Sequence, residues 1–192
     1  NAHHLYTSCL FKASFGGKLD IVQDVLEKGA DINAARGRYG NPLQAAAQWG
    51  KLDIVKFLIE KGADVNAQGA AALKGELEIV KFLIDKGAEV NAQGGLHGNA
   101  LQAAPFGEEL EVVKFLVEKG ADVNAQGGLH GNALQAAAYL GTLEIVKFLV
   151  EEGADVNAQG GKYGTAMQAA VHCLYEDKGP SIVAFLKEKG AH

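Results

Sequence analysis

His97 and His130 are the residues whose type and spacing come nearest to a metal site. Each follows a Gly-Gly-Leu segment, and the two are 33 positions apart. A protein zinc site usually needs four ligands, each about 2.0–2.1 Å from the ion. No cysteine or carboxylate cluster accompanies the two imidazoles in the sequence. We therefore expect no metal and no cofactor.

A thiol beside an imidazole is a second pattern that could do chemistry. Cys173 follows His172 directly, but side chains at adjacent positions of a helix point in different directions, so adjacency alone makes no nucleophile–base pair. The Gly-Gly pairs at 94–95, 127–128 and 160–161 lack the Lys and the Ser or Thr of a phosphate-binding loop. These patterns predict no catalytic residues and no enzyme activity.

Composition and charge narrow the class of partner. The chain has 192 residues, 48% of them apolar, and a formal net charge of −5. An acidic chain without a basic block is a poor ligand for the phosphate backbone of nucleic acids. No apolar run approaches the roughly 20 residues that cross a membrane, and two cysteines suit a reducing compartment. We expect a monomeric cytoplasmic protein without nucleic-acid or membrane partners.

An internal repeat positions all of these residues. The triplet Ile/Val-Asn-Ala starts at residues 32, 65, 90, 123 and 156, and segments 90–122 and 123–155 match at 26 of 33 positions. Such a period indicates stacked supersecondary units. We expect one repeat domain over 1–192, with units at about 1–31, 32–64, 65–89, 90–122, 123–155 and 156–192.

Each full unit predicts two short helices. In the second unit, Asn41 is a favourable N-cap and Pro42 suits the first helical position. A second helix begins near Leu52, where apolar residues recur at helical spacing, and Gly62 suits a left-handed C-cap. Helices this short are marginal alone, so their stability must come from stacking on neighbouring units.

The third unit is eight residues shorter than its neighbours, between Gly69 and Ala70. One interpretation is a true deletion. The other is a segment missing from the sequence as written, and the undisturbed register on both sides favours it. An intact mass of 20.1 kDa would exclude the second interpretation.

These motifs resemble the ankyrin repeat family. The match lies in Glu-Ile-Val at 78–80 and 144–146, Lys-Gly-Ala-Asp at 61–64 and 119–122, and the Val-Asn-Ala triplets. Where the family has Thr-Pro-Leu-His, this chain has forms such as Asn-Ala-Leu-Gln at 99–102. That variant looks most like arrays of filamentous fungi, often joined to NACHT-type or STAND-type signalling NTPases. The resemblance implies an all-α ankyrin repeat solenoid of about six helix-turn-helix units with β-turn fingers.

The resemblance also implies a concave partner-binding face made of turn tips and first helices. Its contact column, just before the helix-breaking glycine, reads Phe15, Gln48, Leu73, Phe106, Tyr139 and His172, and the adjacent column reads Gly16, Trp49, Lys74, Gly107, Leu140 and Cys173. Most differences between the two closest units fall at 105–109 against 138–142. We expect an exposed apolar stripe of Phe15, Trp49, Phe106, Tyr139 and Leu140. Alternatively, Phe15 and Phe106 pack inward, and the tip rings cover the turn backbone. We predict partner binding by Arg38, Tyr39, Gln48, Trp49, Leu96, His97, Phe106, Leu129, His130, Tyr139, Leu140, Tyr163 and His172.

Three functions compete. The variable columns in a nearly fixed scaffold favour a module that binds a protein partner, as a fragment of a larger signalling protein. A synthetic or consensus-derived scaffold would also explain the high identity between units, but Pro105 inside a short helix argues against it. An enzyme or small-molecule binder would need convergent polar groups in a pocket, which the sequence does not indicate.

Overall fold

The fold is built from helices joined by tight turns. The computed structural model describes residues 2–35, 40–94 and 96–192. Within these ranges there is no β-strand, only isolated bridges at Gly127–Gly131 and Gly160–Gly164 that close two fingers. The helices are α1 Ala2–Gly16, α2 Leu19–Glu27, α3 Pro42–Gln48, α4 Leu52–Glu60, α5 Gln68–Ala72, α6 Leu77–Asp85, α7 Ala100–Ala103, α8 Leu110–Glu118, α9 Ala133–Leu140, α10 Leu143–Glu151, α11 Ala166–Val171 and α12 Gly179–Glu188.

A reciprocal cap starts the first helix of four units. In α9, the Asn132 side chain accepts from the Gln135 backbone N–H at 2.8 Å, and the Gln135 side chain accepts from the Asn132 N–H at 2.9 Å. Each pair satisfies two donors that a helix start leaves open. The predicted cap at Asn41 and the predicted Pro42 start of α3 are confirmed. Equivalent boxes start α7 and α11.

The second helices carry the apolar stripe that the sequence predicts. In α10, Ile145, Val146 and Leu149 are buried. On the exposed side, Lys147 donates to Glu144 at 2.9 Å, an arrangement repeated in α6 and α8. Exposed pairs of this kind contribute little free energy, so burial of the stripe dominates the stability of these helices.

The chain forms two compact bodies. The first comprises residues 1–71 and 76–89, and the second comprises residues 72–75 and 90–192. Within the second body, α9 packs against α10 and α11. Alanines such as Ala136 and Ala137 are fully buried there, because small side chains let the helices approach closely. The single domain over 1–192 stays a prediction.

The short third unit contains a one-turn helix in place of a full first helix. The chain runs without a break through Gly69 and Ala70, which lie in α5. The Ala71 N–H donates to the Ala67 carbonyl at 3.3 Å, so the turn forms directly after the Val-Asn-Ala triplet. Both interpretations of the short unit stay predictions, and an intact mass above 20.1 kDa is the test for a lost segment.

Pro105 changes the fourth unit as its chemistry requires. The helix α7 stops at Ala103, and the chain continues as a 3-10 turn over Ala104–Gly107. Proline has no N–H to donate to the preceding turn. The turn ends at Glu108, which has a left-handed φ of 57°, where the fifth unit has Gly141 at 75°. A non-glycine residue in this region is strained.

Replacing Glu108 by glycine therefore stabilises the protein. We expect Glu108→Gly to raise the free energy of unfolding by about 0.5–1 kcal/mol, because relief of the left-handed strain exceeds the added chain entropy. Urea unfolding followed by circular dichroism measures it. The matched control, Gly17→Ala, places a side chain at a φ of 74° and should lower stability by about 1 kcal/mol. A destabilised Glu108→Gly variant would contradict this explanation.

Candidate aromatic interaction surface

Six rings of the second body form one continuous series of contacts. They come from two places in each unit: the tip of the finger and the end of the first helix. We call this set the aromatic row. Its members are His97, Phe106, His130, Tyr139, Tyr163 and His172.

The row begins with two imidazoles and a phenyl ring. The His97 and His130 rings are parallel, with centroids 6.4 Å apart. Phe106 lies against both, at 4.3 Å from His97 and 5.2 Å from His130. Offset and tilted arrangements at these distances are favourable for aromatic pairs.

The row continues through two phenols to the last imidazole. Tyr139 stacks on His130 at 5.1 Å and on Tyr163 at 5.0 Å. His172 stacks on Tyr163 at 5.3 Å. Rings from different units therefore support one another, so each side chain is held in one orientation.

Backbone contacts between fingers set the spacing of the tip rings. The Leu129 N–H donates to the Leu96 carbonyl, and the Lys162 N–H donates to the Leu129 carbonyl, both at 2.9 Å. A Cβ atom at Gly128 would collide with the backbone of His97, and one at Gly161 would collide with the backbone of His130. This close approach gives the Gly-Gly pairs at 127–128 and 160–161 a packing role.

Glutamine side chains attach the fingers of the fifth and sixth units to the preceding first helix. The Gln102 amide donates to the carbonyls of Ala125 and Gly131 at 2.8 and 2.7 Å. Gln135 makes the equivalent bonds one unit later, to Ala158 and Gly164. Because these glutamines also complete the helix caps, one side chain fixes the helix start and the next finger together.

The surroundings of His97 and His130, two of the three imidazoles of the row, favour their neutral forms. Burial lowers the pKa of His97, and it lowers the pKa of His130 with help from the nearby His97 and Lys162. The Nδ1 atoms of both rings are buried and find no hydrogen-bond partner among the described residues. A proton on either atom would add an unpaired donor to an apolar stack.

The phenol hydroxyls of Tyr139 and Tyr163 and the ammonium group of Lys162 lie together near the end of the row that His172 closes. A hydrogen bond with Tyr163 raises the pKa of Tyr139. Tyr163 also forms a hydrogen bond with Lys162, which raises the pKa of the Lys162 ammonium group. The Lys162 Nζ atom also lies 4.9 Å from the Tyr163 ring centroid. The row is therefore apolar along its stack and carries donors at this end.

The finger tips add exposed apolar side chains beside the row. Leu96 is 65% exposed and Leu129 is 43% exposed. The six rings themselves are partly or fully accessible. The structure thus brings eight of the predicted residues onto one surface of the second body. Phe106 does not pack fully inward, which was the alternative interpretation. Its ring lies within the row and is half-buried.

The expectation that Leu140 is exposed is wrong, since it is 6% exposed. The helix α9 runs through Leu140, and the rotation of a helix between neighbours turns this side chain inward when Tyr139 faces out. Trp49 occupies the same column but lies beyond the end of α3, and it is 43% exposed.

The remaining predicted residues belong to the first body or fall outside the described ranges. Gln48 is half-buried, and Trp49 makes an edge-to-face contact with Phe15 at 4.7 Å. Phe15 is 39% exposed, so it does not pack inward completely. Arg38 and Tyr39 lie outside the described residues.

Sequence reasoning missed three exposed apolar residues near the end of the chain: Val171, Leu174 and Tyr175. Alignment of the units could have found Val171, because it occupies a position where the other units have serine, alanine or proline. The described residues contain no group of three or more His, Cys, Asp or Glu side chains that could hold a metal ion. None of the described helices has the length and apolar character needed to cross a membrane.

The neutral imidazoles predict a pH dependence of stability. Their folded pKa values lie below the unfolded value near 6.5, so the unfolded chain binds protons first as the pH falls. The two histidines contribute fully to the free energy of unfolding above about pH 6.5, and this contribution is lost as the pH falls below that value. We expect the free energy of unfolding to fall less between pH 7.5 and 5 in His97→Tyr/His130→Tyr, which uses the residue found at Tyr163. Equal falls in the variant and the parent would contradict this assignment.

Comparison with protein families agrees with the repeat and its geometry. The family model described as ankyrin repeats (3 copies) matches residues 2–69, 67–127 and 100–192. No curated protein matches the sequence significantly. Because the three matches together cover nearly all of the chain, which folds into capped helix pairs linked by fingers, the protein belongs to the ankyrin repeat family.

Proposed function

We propose that the protein is a protein–protein interaction module that binds its partner on the aromatic row and the adjacent tips Leu96 and Leu129. Ankyrin repeats are generally protein-binding modules, which supports the class of function. The single observation that supports the location is the continuous stack of six ring side chains in the second body.

Three properties of this surface favour a protein ligand. Aromatic side chains are enriched in interface hot spots because they bury much area and keep a polar group for hydrogen bonding. Mutual stacking fixes the rings before binding, which lowers the entropy lost in the complex. Leu96 and Leu129 extend the apolar area at the finger tips. Exposed apolar surface of this kind often marks an interaction site.

The position of the surface also suits variation. Phe106, Tyr139 and His172 occupy one column, where the second unit has Gln48. The caps and buried stripes that hold the repeat do not use this column, so its side chains can change without loss of the fold. This supports the concave-face assignment that the family resemblance implies.

The test compares two surfaces of the same chain. The variant Leu129→Lys/Tyr139→Gln uses residues that the chain itself has at equivalent positions, Lys162 and Gln48, so it should fold. The control Glu111→Gln/Glu144→Gln alters exposed positions on the second helices. Each purified protein is used to capture partners from an extract of the source cells, and the captured proteins are quantified by mass spectrometry.

We expect one partner to be captured by the parent and the control but reduced at least about tenfold with the row variant, the equivalent of 1.4 kcal/mol. If the row variant captures the partner as well as the parent does, and the control does not capture it, the site lies on the second helices. Capture of no protein by any of the three would contradict a module that acts on a separate partner.

We also infer that the array works as an arm of a larger signalling protein. The Asn-Ala-Leu-Gln-Ala-Ala segments at 99–104 and 132–137, which resemble arrays joined to NACHT-type NTPases, support this. The two free cysteines, Cys9 and Cys173, fit a monomer in a reducing cytoplasm. The sequence of the parent gene tests the first point, since an open reading frame without a signalling domain would contradict it.

A further inference from the structure

The two ends of the aromatic row differ in polarity. At one end, Phe106 packs against the rings of His97 and His130, whose surroundings favour their neutral forms. Towards the other end, the row reaches Tyr163, whose ring centroid lies 4.9 Å from the exposed ammonium group of Lys162. A partner that lies along the row therefore meets an apolar stack first and a positive charge beyond it.

Lys162 has no acidic neighbour to neutralise its charge. Lys81, Lys114 and Lys147, on the second helices, each pair with a glutamate three residues earlier in the chain. Lys162 forms no such pair with any described residue, although the chain has 23 acidic and 18 basic side chains. A hydrogen bond with Tyr163 is the largest cause of its raised pKa, and no carboxylate is among the other causes. An uncompensated cation of this kind creates a local potential that attracts a negatively charged ligand.

The donors near Lys162 are held in place before a ligand arrives. The Tyr139 and Tyr163 rings stack at 5.0 Å, and a hydrogen bond joins their side chains. Tyr163 also forms a hydrogen bond with Lys162. An ammonium group has three protons to donate and each phenol has one, so these two bonds leave protons free for an acceptor. We call Tyr139, Tyr163 and Lys162 the donor cluster.

We propose that the partner presents a side-chain carboxylate to the donor cluster and an apolar side chain to the Phe106 end of the row. This assignment rests on the proposed function, because the row must be the partner site for its donors to select a ligand. A carboxylate fits, since it can accept from an ammonium group and from a phenol together, in short charge-assisted hydrogen bonds. Phosphate groups are typically recognised by clusters of arginine, which the donor cluster does not contain.

The length of the row sets the spacing of the two groups in the partner. Neighbouring ring centroids from Phe106 through His130 and Tyr139 to Tyr163 are 5.2, 5.1 and 5.0 Å apart. An extended chain advances about 3.3 Å per residue, so a segment along the row places its acidic residue within about five positions of its apolar residue. The net charge of the whole chain is −5, so the attraction for an acidic segment must come from the donor cluster itself.

The test selects ligands without assuming their sequence. A phage library of random short peptides, joined to the coat protein through their carboxyl ends, is selected on the immobilised 192-residue chain. Enriched peptides are synthesised with a fluorescent label, and the anisotropy of the label gives the Kd for each protein variant. We expect the enriched peptides to carry Asp or Glu within about five positions of an aromatic or aliphatic residue.

Charge variants on two surfaces separate the donor cluster from general electrostatics. Lys162→Glu replaces the ammonium group by a carboxylate, and we expect it to weaken binding at least about tenfold, because like charges then meet across the interface. Lys147→Glu is the matched control, since it changes the net charge equally on the exposed side of α10. It should leave the Kd unchanged, and loss of an exposed ion pair costs the fold little.

A third variant tests the direct contact with the carboxylate. Lys162→Leu uses the residue found at the equivalent tip position, Leu129, so it should fold. In the peptide, Glu is replaced by Gln or Asp by Asn. We expect this replacement to weaken binding to the parent but not to Lys162→Leu, because both changes remove the same interaction.

A variant at the apolar end distinguishes failure of this assignment from failure of the proposed function. Phe106→Gln uses the residue of the second unit in that column and should weaken binding of the selected peptides. Peptides that depend on Phe106 but carry no acidic residue, or that bind Lys162→Glu as well as the parent, would overturn the carboxylate assignment alone. Peptides insensitive to Phe106→Gln would overturn the row as the partner site and the carboxylate assignment with it, and so would a selection that enriches no peptide.

Discussion

The structure of the second body depends on one kind of side chain with two roles, the glutamine at the third position of α7 and of α9. Through its oxygen it completes the cap of its own helix, and through its nitrogen it holds the next finger. Gln135 accepts from Asn132 and donates to Ala158 and Gly164 while only 2% exposed. A buried amide with all of these groups satisfied strongly resists displacement, since each orphaned partner costs about 1–3 kcal/mol.

Several features of the surface follow from that bond. Once a finger is held at a fixed distance from the preceding helix, its tip can donate to the neighbouring tip, and only glycine fits where the backbones approach. The tip rings His130 and Tyr163 then lie on either side of Tyr139, from the end of α9. The ordered stack that we propose as the partner site is therefore a consequence of how units attach. It does not require a pocket or a bound ion.

Much of this was predictable from the sequence because the signals are local. The cap at Asn41, the helix start at Pro42 and the left-handed Gly62 each depend on one residue and its immediate backbone. The ring contacts were not predictable, because they join residues a full unit apart. The burial of Leu140 depends on whether its helix continues for one more residue than α3 does, and an alignment of columns does not contain that information.

Replacing Gln135 and Gln168 separately by methionine tests the double role of this residue most directly. Methionine keeps the length of the side chain but makes neither bond. At Gln168 only the bond from the Thr165 N–H to the side chain is lost, with an expected cost of about 1 kcal/mol. At Gln135 the equivalent bond from the Asn132 N–H and the finger attachment are both lost. The predicted loss in free energy of unfolding is about 3 kcal/mol, with weakened NOE contacts between the His130 and Tyr163 rings. Equal losses at the two positions, with the ring contacts unchanged, would contradict the account.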